Sequence, residues 1–316
     1  MQKLQSALEK MHYELAGNRG AVQICMWNKE SLLDKDFCYK QKFYGIRSHL
    51  CCQMTPIVDA CDQRCIFCWR PWEIAFNDKN KAWDNPKQLI KDCIIAQRKK
   101  LTGFGGNDKV NKEKFLAAQD PMHFAISLAG EPTMYPHLSE LIKELHSQNK
   151  TTFLVTNGQH PEVLEKLRKE GALPTQLYVS LDAPSKELYE KINKPLNDDG
   201  WARLNQTLQL LSKLPCRRVI RVTLIRGYNM NNLKEWVKLI RLSEGNNLMV
   251  EVKSYMHVGC SRKRLAQSNM PTHKEVREFS EALAKELGWN ILDEQVRSRV
   301  VLLAKEDFKE RIMKFD

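Results

Sequence analysis

The sequence predicts an α/β protein built on a parallel sheet. From about Met122 to Met256, short apolar runs alternate with segments whose apolar residues recur at helical spacing. The boundaries between them fall at glycine, proline and asparagine. Strands that alternate with helices connect through right-handed crossovers into parallel neighbours. The 42% apolar fraction is enough for a core.

MHFAISLAG (122–130) reads as a buried strand, and HLSELIKELHSQ (137–148) as a helix with Leu138, Leu141, Ile142 and Leu145 on one face. TTFLVTNG (151–158) is a strand stopped at Asn157-Gly158. PEVLEKLRKEG (161–171) is a helix with Pro161 at its start and Gly171 past its end. QLYVSLDAP (176–184) and SKELYEKIN (185–193) repeat the pair. Trp201, Leu204, Leu208 and Leu211 mark a helix, RRVIRVTLI (217–225) a strand, NLKEWVKLIRL (232–242) a helix and LMVEVKSYM (248–256) a strand. A helix through Val276, Phe279, Leu283 and Leu287 runs to Gly288, and WNILDE (289–294) and RVVLLAK (299–305) are final strands.

This order suits a partial or full β/α barrel, or an open doubly wound sheet. In each, chemistry belongs at the carboxyl ends of the strands. Those ends are Gly130-Glu131, Asn157-Gly158, Ser180 to Asp182 and the stretch after Met256. Residues 101–115, polar and basic with several glycines, read as a mobile insertion.

The net charge of +12 favours an acidic partner, nucleic acid first, although a lysine-rich, heat-tolerant surface has the same balance. The polar start has no apolar signal-peptide core, and no run approaches the ~18 apolar residues of a membrane span. A cytoplasmic protein without membrane contact, most simply a monomer, is expected. In that compartment its ten cysteines are thiols or metal ligands rather than disulfides.

Seven of the ten lie between Cys25 and Cys68. In CDQRCIFCW, residues 61–69, Cys61, Cys65 and Cys68 follow a C-x3-C-x2-C spacing. Three thiolates on one loop can hold three irons of a [4Fe–4S] cube and leave the fourth iron open. A zinc loop completed by a distant fourth ligand is the alternative, but the wider first step is unusual for zinc.

This spacing, with Phe67 before the last cysteine and the Gly130-Glu131-Pro132 strand end downstream, resembles the radical S-adenosylmethionine superfamily. The resemblance implies a partial (β/α) barrel of about six parallel strands with N-terminal and C-terminal extensions. It implies S-adenosylmethionine bound at the open iron and cleaved reductively to a 5′-deoxyadenosyl radical, which the barrel shields. Gly130 and Glu131 would support the methionine amino group, and Asn157, Ser180 and Asp182 its carboxylate or the ribose. The expected organisation is one domain over 1–316. An extension spans 1–55, the barrel core 56–260 and a C-terminal extension 261–316.

Cys25, Cys38 and Cys51 repeat at equal intervals, with Cys52 a rival for the third place. Buried free cysteines are the alternative, since AVQICMW (21–27) reads as a strand. The stretch from Cys38 to Trp72 is similar over its whole length to the 4-demethylwyosine synthase family, as are residues 251–265 and 269–273. The likeness selects Cys51 and implies a second [4Fe–4S] cluster on Cys25, Cys38 and Cys51. Without room for a flavodoxin-like domain, the chain looks like the archaeal form and needs an external electron donor. The family condenses N1-methylguanosine beside the anticodon of tRNA(Phe) with two carbons of pyruvate.

Lys40 matches the family lysine expected to form a Schiff base with pyruvate, with Lys42 its nearest competitor. Trp69, Arg70 and Trp72, Arg262 to Arg264, and Lys109, Lys112 and Lys114 are candidates for tRNA contact. Another radical enzyme, such as a protein-glycine activase, or a non-enzymatic iron–sulfur or zinc module, are the rival classes.

Overall fold

The computed structural model describes residues 2–73 and 81–315. Helix α1 (Gln2–Lys10) leads to an antiparallel hairpin, β1 (Glu14–Ala16) and β2 (Gly20–Gln23). Two short helices follow, α2 (Met26–Leu32) and α3 (Tyr39–Tyr44). The strand expected through AVQICMW ends at Gln23, because the Cys25 thiol accepts from the Asn28 amide (3.4 Å) and caps α2.

β3 (Cys51–Thr55) opens the parallel run, within the stretch expected as the N-terminal extension. After it come α4 (Pro86–Leu101), α5 (Lys112–Ala117), β4 (His123–Ile126), α6 (Leu138–Ser147), β5 (Thr151–Thr156), α7 (Pro161–Lys169) and β6 (Gln176–Ser180). α8 (Lys186–Asn193), α9 (Gly200–Leu211), β7 (Arg217–Leu224), α10 (Leu233–Arg241) and β8 (Leu248–Ser254) complete the repeat, and α11 (His273–Leu287), β9 (Asn290–Gln295) and β10 (Val300–Ala304) close the chain. The helix ends obey local chemistry. Asn85 caps α4 with Pro86 in its first turn. Thr272 and Glu275 form a capping box on α11, and Gly288 ends that helix in the left-handed region (φ 70°).

The sheet has ten strands in the order β1-β2-β3-β4-β5-β6-β7-β8-β10-β9, and β3 to β8 are parallel. β2 and β10 add antiparallel to the two edges of that run. Six parallel strands and helix-linked crossovers are the partial barrel the resemblance implied.

The strands from β5 to β8, and β10, divide their residues between two cores. Cys52, Met54, Phe124, Leu154, Leu177, Ile220 and Val250 pack against the helices. Phe153, Val155, Tyr178, Val219, Met249 and Leu302 pack on the other face, where α3 covers them with Tyr39, Phe43 and Tyr44. The period-two alternation of the strands therefore sorts side chains into a helix layer and an enclosed concave face.

Residues 101–115 do not form a loose insertion. Leu101 and Val110 are buried, the Asn111 amide donates to the Leu32 carbonyl (2.9 Å), Asn111 caps α5, and Lys114 pairs with Asp34. Apolar anchors at both ends hold this basic segment against α2.

Past β4 the chain turns at Gly130 with φ +80°. A Cβ there would lie 1.7 Å from the Ile57 carbonyl oxygen, so both conformation and contact require glycine. Gly130→Ala is expected to cost about 3 kcal/mol or more of stability, or to prevent folding, as measured by thermal unfolding against wild type.

Candidate functional site

The loop that carries Cys61, Cys65 and Cys68 leaves β3 and crosses the carboxyl ends of the parallel strands. Its approach is anchored by a buried ion pair, Arg19 to Asp59 (2.9 Å), and by the Glu131 amide, which donates to the Ala60 carbonyl (2.9 Å). From the C-terminal side, Arg264 donates to the carbonyls of Ile66 and Cys68, and the Cys260 amide donates to the Trp69 carbonyl (2.9 Å). The loop is thus held from both sides.

Strand ends meet the thiols. Asn157, after β5, donates to Asp62 (2.5 Å) and to Cys61 Sγ (3.8 Å). Asn193, at the end of α8, donates to Cys65 Sγ (3.7 Å) and to Asp182 Oδ2 (3.2 Å). The buried Arg70 guanidinium faces all three thiols. Burial pushes the Cys61 thiol up to about 11 and the Cys65 thiol well above its usual range. Sulfurs with N–H donors and a buried cation are a donor set that fits iron-bound thiolates. Among the described residues no three Cys, His, Asp or Glu side chains are grouped as ligands of one shared ion. A cleft of about 590 Å³ opens beside the loop, lined by Cys61, Asp62, Arg64, Trp72 and Leu196 among others.

Glu131 is buried, and all its hydrogen bonds are internal. It accepts from the Thr133 amide and hydroxyl (3.1 and 2.7 Å), the Thr156 hydroxyl (2.7 Å) and the Asn157 amide (2.8 Å). Ser180 accepts from Arg221 Nη2 (3.2 Å).

Cys25, Cys38 and Cys51 also come together, although the chain between them spans two helices. Cys38 and Cys51 are raised first by burial and then by the neighbouring thiols, Cys38 to about 12. Lys40 lies within electrostatic reach of all three. Its Nζ sits 4.2 Å from the Tyr178 ring centre and 5.4 Å from that of Phe153, on the concave face. Lys42 turns away to Asp293 (2.7 Å). Cys52 points into the helix layer beside Cys93, as strand alternation requires.

Several tRNA-contact candidates are engaged elsewhere. Arg70 is buried, Arg264 clasps the cysteine loop and pairs with Glu73, and Lys114 pairs with Asp34. Arg262, Lys263, Lys109 and Lys112 are exposed. The Trp72 ring has the guanidinium groups of Arg64 (5.9 Å) and Arg264 (4.7 Å) within cation–π range.

The Radical SAM superfamily model matches residues 55–240, and a model for wyosine base formation matches 244–305. The chain is 48% identical to the S-adenosyl-L-methionine-dependent tRNA 4-demethylwyosine synthase of Pyrococcus abyssi, covering 97% of this chain and 90% of that protein. The chain belongs to the tRNA 4-demethylwyosine synthase family. The family member from Pyrococcus horikoshii is 49% identical over 94% of this chain and 87% of its own. A structure of TYW1 with a lysine-pyruvate adduct bound superposes with a TM-score of 0.88 at 36% identity, covering 99% of each chain. The protein-glycine activase alternative is set aside, since these relatives are tRNA 4-demethylwyosine synthases. Family membership brings S-adenosylmethionine and an iron–sulfur cluster. Among the described residues no helix is long and apolar enough to cross a membrane.

Sequence reasoning missed Asp62, His160 and Asn193, and the charged row Arg221, Glu251 and Lys253 on β7 and β8. Glu251 and Lys253 had a signal: charges at alternate positions of an otherwise apolar strand. His160 pairs with Asp62 (2.7 Å). Burial disfavours its charge, but the bond to Asp62 outweighs this and holds the imidazole up at about 9. A raised folded value means that the pair stabilises fully below the free imidazole value of ~6.5 and loses this as pH rises through about 9. We expect His160→Gln to lower the unfolding midpoint by roughly 2–6 °C at pH 6, a gap that closes by pH 10 in a pH series of thermal melts.

Proposed function

We propose that Cys61, Cys65 and Cys68 hold the cluster that binds S-adenosylmethionine, and that Cys25, Cys38 and Cys51 hold a second [4Fe–4S] cluster. Lys40 holds pyruvate as a Schiff base, and the substrate is N1-methylguanosine beside the anticodon of tRNA(Phe), converted to 4-demethylwyosine. The observation that carries this reading is the meeting of three cysteines from three separate elements with Lys40 on the concave face. The lysine-pyruvate adduct in the 36% identical TYW1 structure supports the same role. When bound, S-adenosylmethionine and its cluster supply reductive carbon–sulfur cleavage and hence a radical able to take hydrogen from an unreactive methyl group.

The protein's own groups do the rest. The Lys40 amine attacks the keto carbon, water leaves, and the imine fixes the substrate's position. Tyr178 and Phe153 form an aromatic floor under the amine and exclude water from it. Asn157, Ser180 and Asp182 offer hydrogen-bonding groups at the strand ends for the methionine and ribose portions of the cofactor. Gly130 and Glu131 shape the backbone beneath them. Exposed Arg262 and Lys263, with Arg64 and Trp69 at the rim, suit RNA phosphates and an unstacked base. Electrons come from an external donor.

Iron counting by Mössbauer spectroscopy after anaerobic reconstitution tests the second cluster. Wild type should hold about eight irons and Cys38→Ala about four; an unchanged count would remove the second cluster. For Lys40, borohydride with labelled pyruvate should label wild type and leave Lys40→Ala unlabelled, and equal labelling would defeat the Schiff base.

A further inference from the structure

The concave face is layered. Its floor is apolar, built from Phe153, Tyr178, Val219, Met249 and Leu302. One step toward the carboxyl ends of the strands the layer becomes charged. Ser180 is in register with Arg221, Arg221 with Glu251, and Thr223 with Lys253. Lys40 from α3 reaches this layer from above Tyr178.

The charges on this layer are unequal. Glu251 is buried and already satisfied, accepting from the hydroxyls of Tyr39 (3.0 Å) and Tyr44 (2.6 Å). Arg221 donates to the neutral Ser180 hydroxyl (3.2 Å). Lys253 donates to the neutral Ser298 carbonyl (3.1 Å), and its Nζ stands 4.8 Å from the Tyr39 ring centre. Among the described residues neither cation has a salt bridge to a carboxylate. Lys253 is within electrostatic reach of both Arg221 and Lys40, with Cys38 and Glu251 beside it. Asp182, the next carboxylate along, is also within reach of Arg221, but it hydrogen-bonds Asn193 on the side of the cysteine loop. Half-buried cations without a carboxylate partner carry a desolvation cost that a bound anion would offset.

We propose that Arg221 and Lys253 form the carboxylate clamp for the keto acid held on Lys40. This rests on the Schiff-base reading of Lys40 and adds the groups that select an α-keto acid over a neutral ketone. In an α-keto acid the carboxylate is one bond from the carbon that Lys40 attacks. A cation that recognises it must therefore lie close to the lysine amine; Lys253 does, and Arg221 stands beside Lys253. The clamp orients the imine, with the carboxylate toward β7 and β8. A guanidinium and an ammonium together suit the two oxygens of one carboxylate.

The test uses the reconstituted full-length enzyme and borohydride trapping read by intact-protein mass, with no turnover required. Adduct is measured against concentration for pyruvate and for methyl pyruvate, the same ketone without the negative charge. In Arg221→Gln and in Lys253→Met, half-maximal trapping of pyruvate should need about tenfold more ligand or greater, while methyl pyruvate shifts less than about twofold. Arg221→Lys and Lys253→Arg keep the charge and should retain most of the preference for pyruvate, which guards against variants that simply fail to fold. A change in the reactivity of Lys40 moves both ketones together, so parallel shifts overturn the clamp, as does no shift at all. Loss of tRNA affinity with unchanged pyruvate trapping also overturns it, by assigning the cations to RNA phosphate. If wild type traps neither ketone, the Lys40 reading itself fails, an outcome distinct from an unchanged pyruvate-to-ester ratio.

Discussion

A single buried carboxylate, that of Glu131, ties the strand ends together. It takes four hydrogen bonds from Thr133, Thr156 and Asn157, while its own amide binds Ala60. One residue thereby joins the end of β4, the end of β5 and the approach to the cysteine loop. Burial raises its carboxyl group, the nearby Asp62 adds to this, and the Thr and Asn donors oppose both. An unpaired carboxylate there would be costly, so the same donors that satisfy it also lock the local backbone. Gly130 completes the joint by letting the turn press against the Ile57 carbonyl.

On this joint the cysteine loop is clasped rather than merely supported. Arg264 and Cys260 reach it from the segment after β8, which lies in the region matched by the wyosine base formation model. The C-terminal part of the chain therefore does two things. It extends the sheet with β10 and β9, and it grips the loop matched by the superfamily model. Arg264 is a structural cation for this reason: its guanidinium is committed to the Ile66 and Cys68 carbonyl oxygens.

The concave face has a different logic. An apolar floor and a cover of three α3 aromatics exclude water. The charges that remain are partly shielded from solvent, where electrostatic interactions are less screened than in bulk water. Lys40 reaches this face because α3 packs Tyr39, Phe43 and Tyr44 inward. Lys42, two residues on along a helix, turns outward.

Alternation of strand and helix was legible because each element carries its own period, and the parallel sheet follows from crossover geometry. The cysteine spacing was equally legible, since a tight loop brings local neighbours together whatever the fold. The choice of Cys51 over Cys52 came from family likeness; what the fold adds is that strand alternation sends Cys52 into the helix layer. Other features were not local. Cys25 looked like part of a strand until its thiol capped α2. Arg70 and Arg264 looked like surface charges until the packing of the loop turned them inward. Residues 101–115 looked loose until Leu101 and Val110 found a core. The Arg221, Glu251 and Lys253 row belongs to strands whose inner face only the curved sheet and α3 enclose. Sequence by itself determined the elements and the thiol spacing, because both depend on near neighbours. Tertiary structure alone decided which charges lie inside and what they face, because burial is a property of residues far apart in the chain.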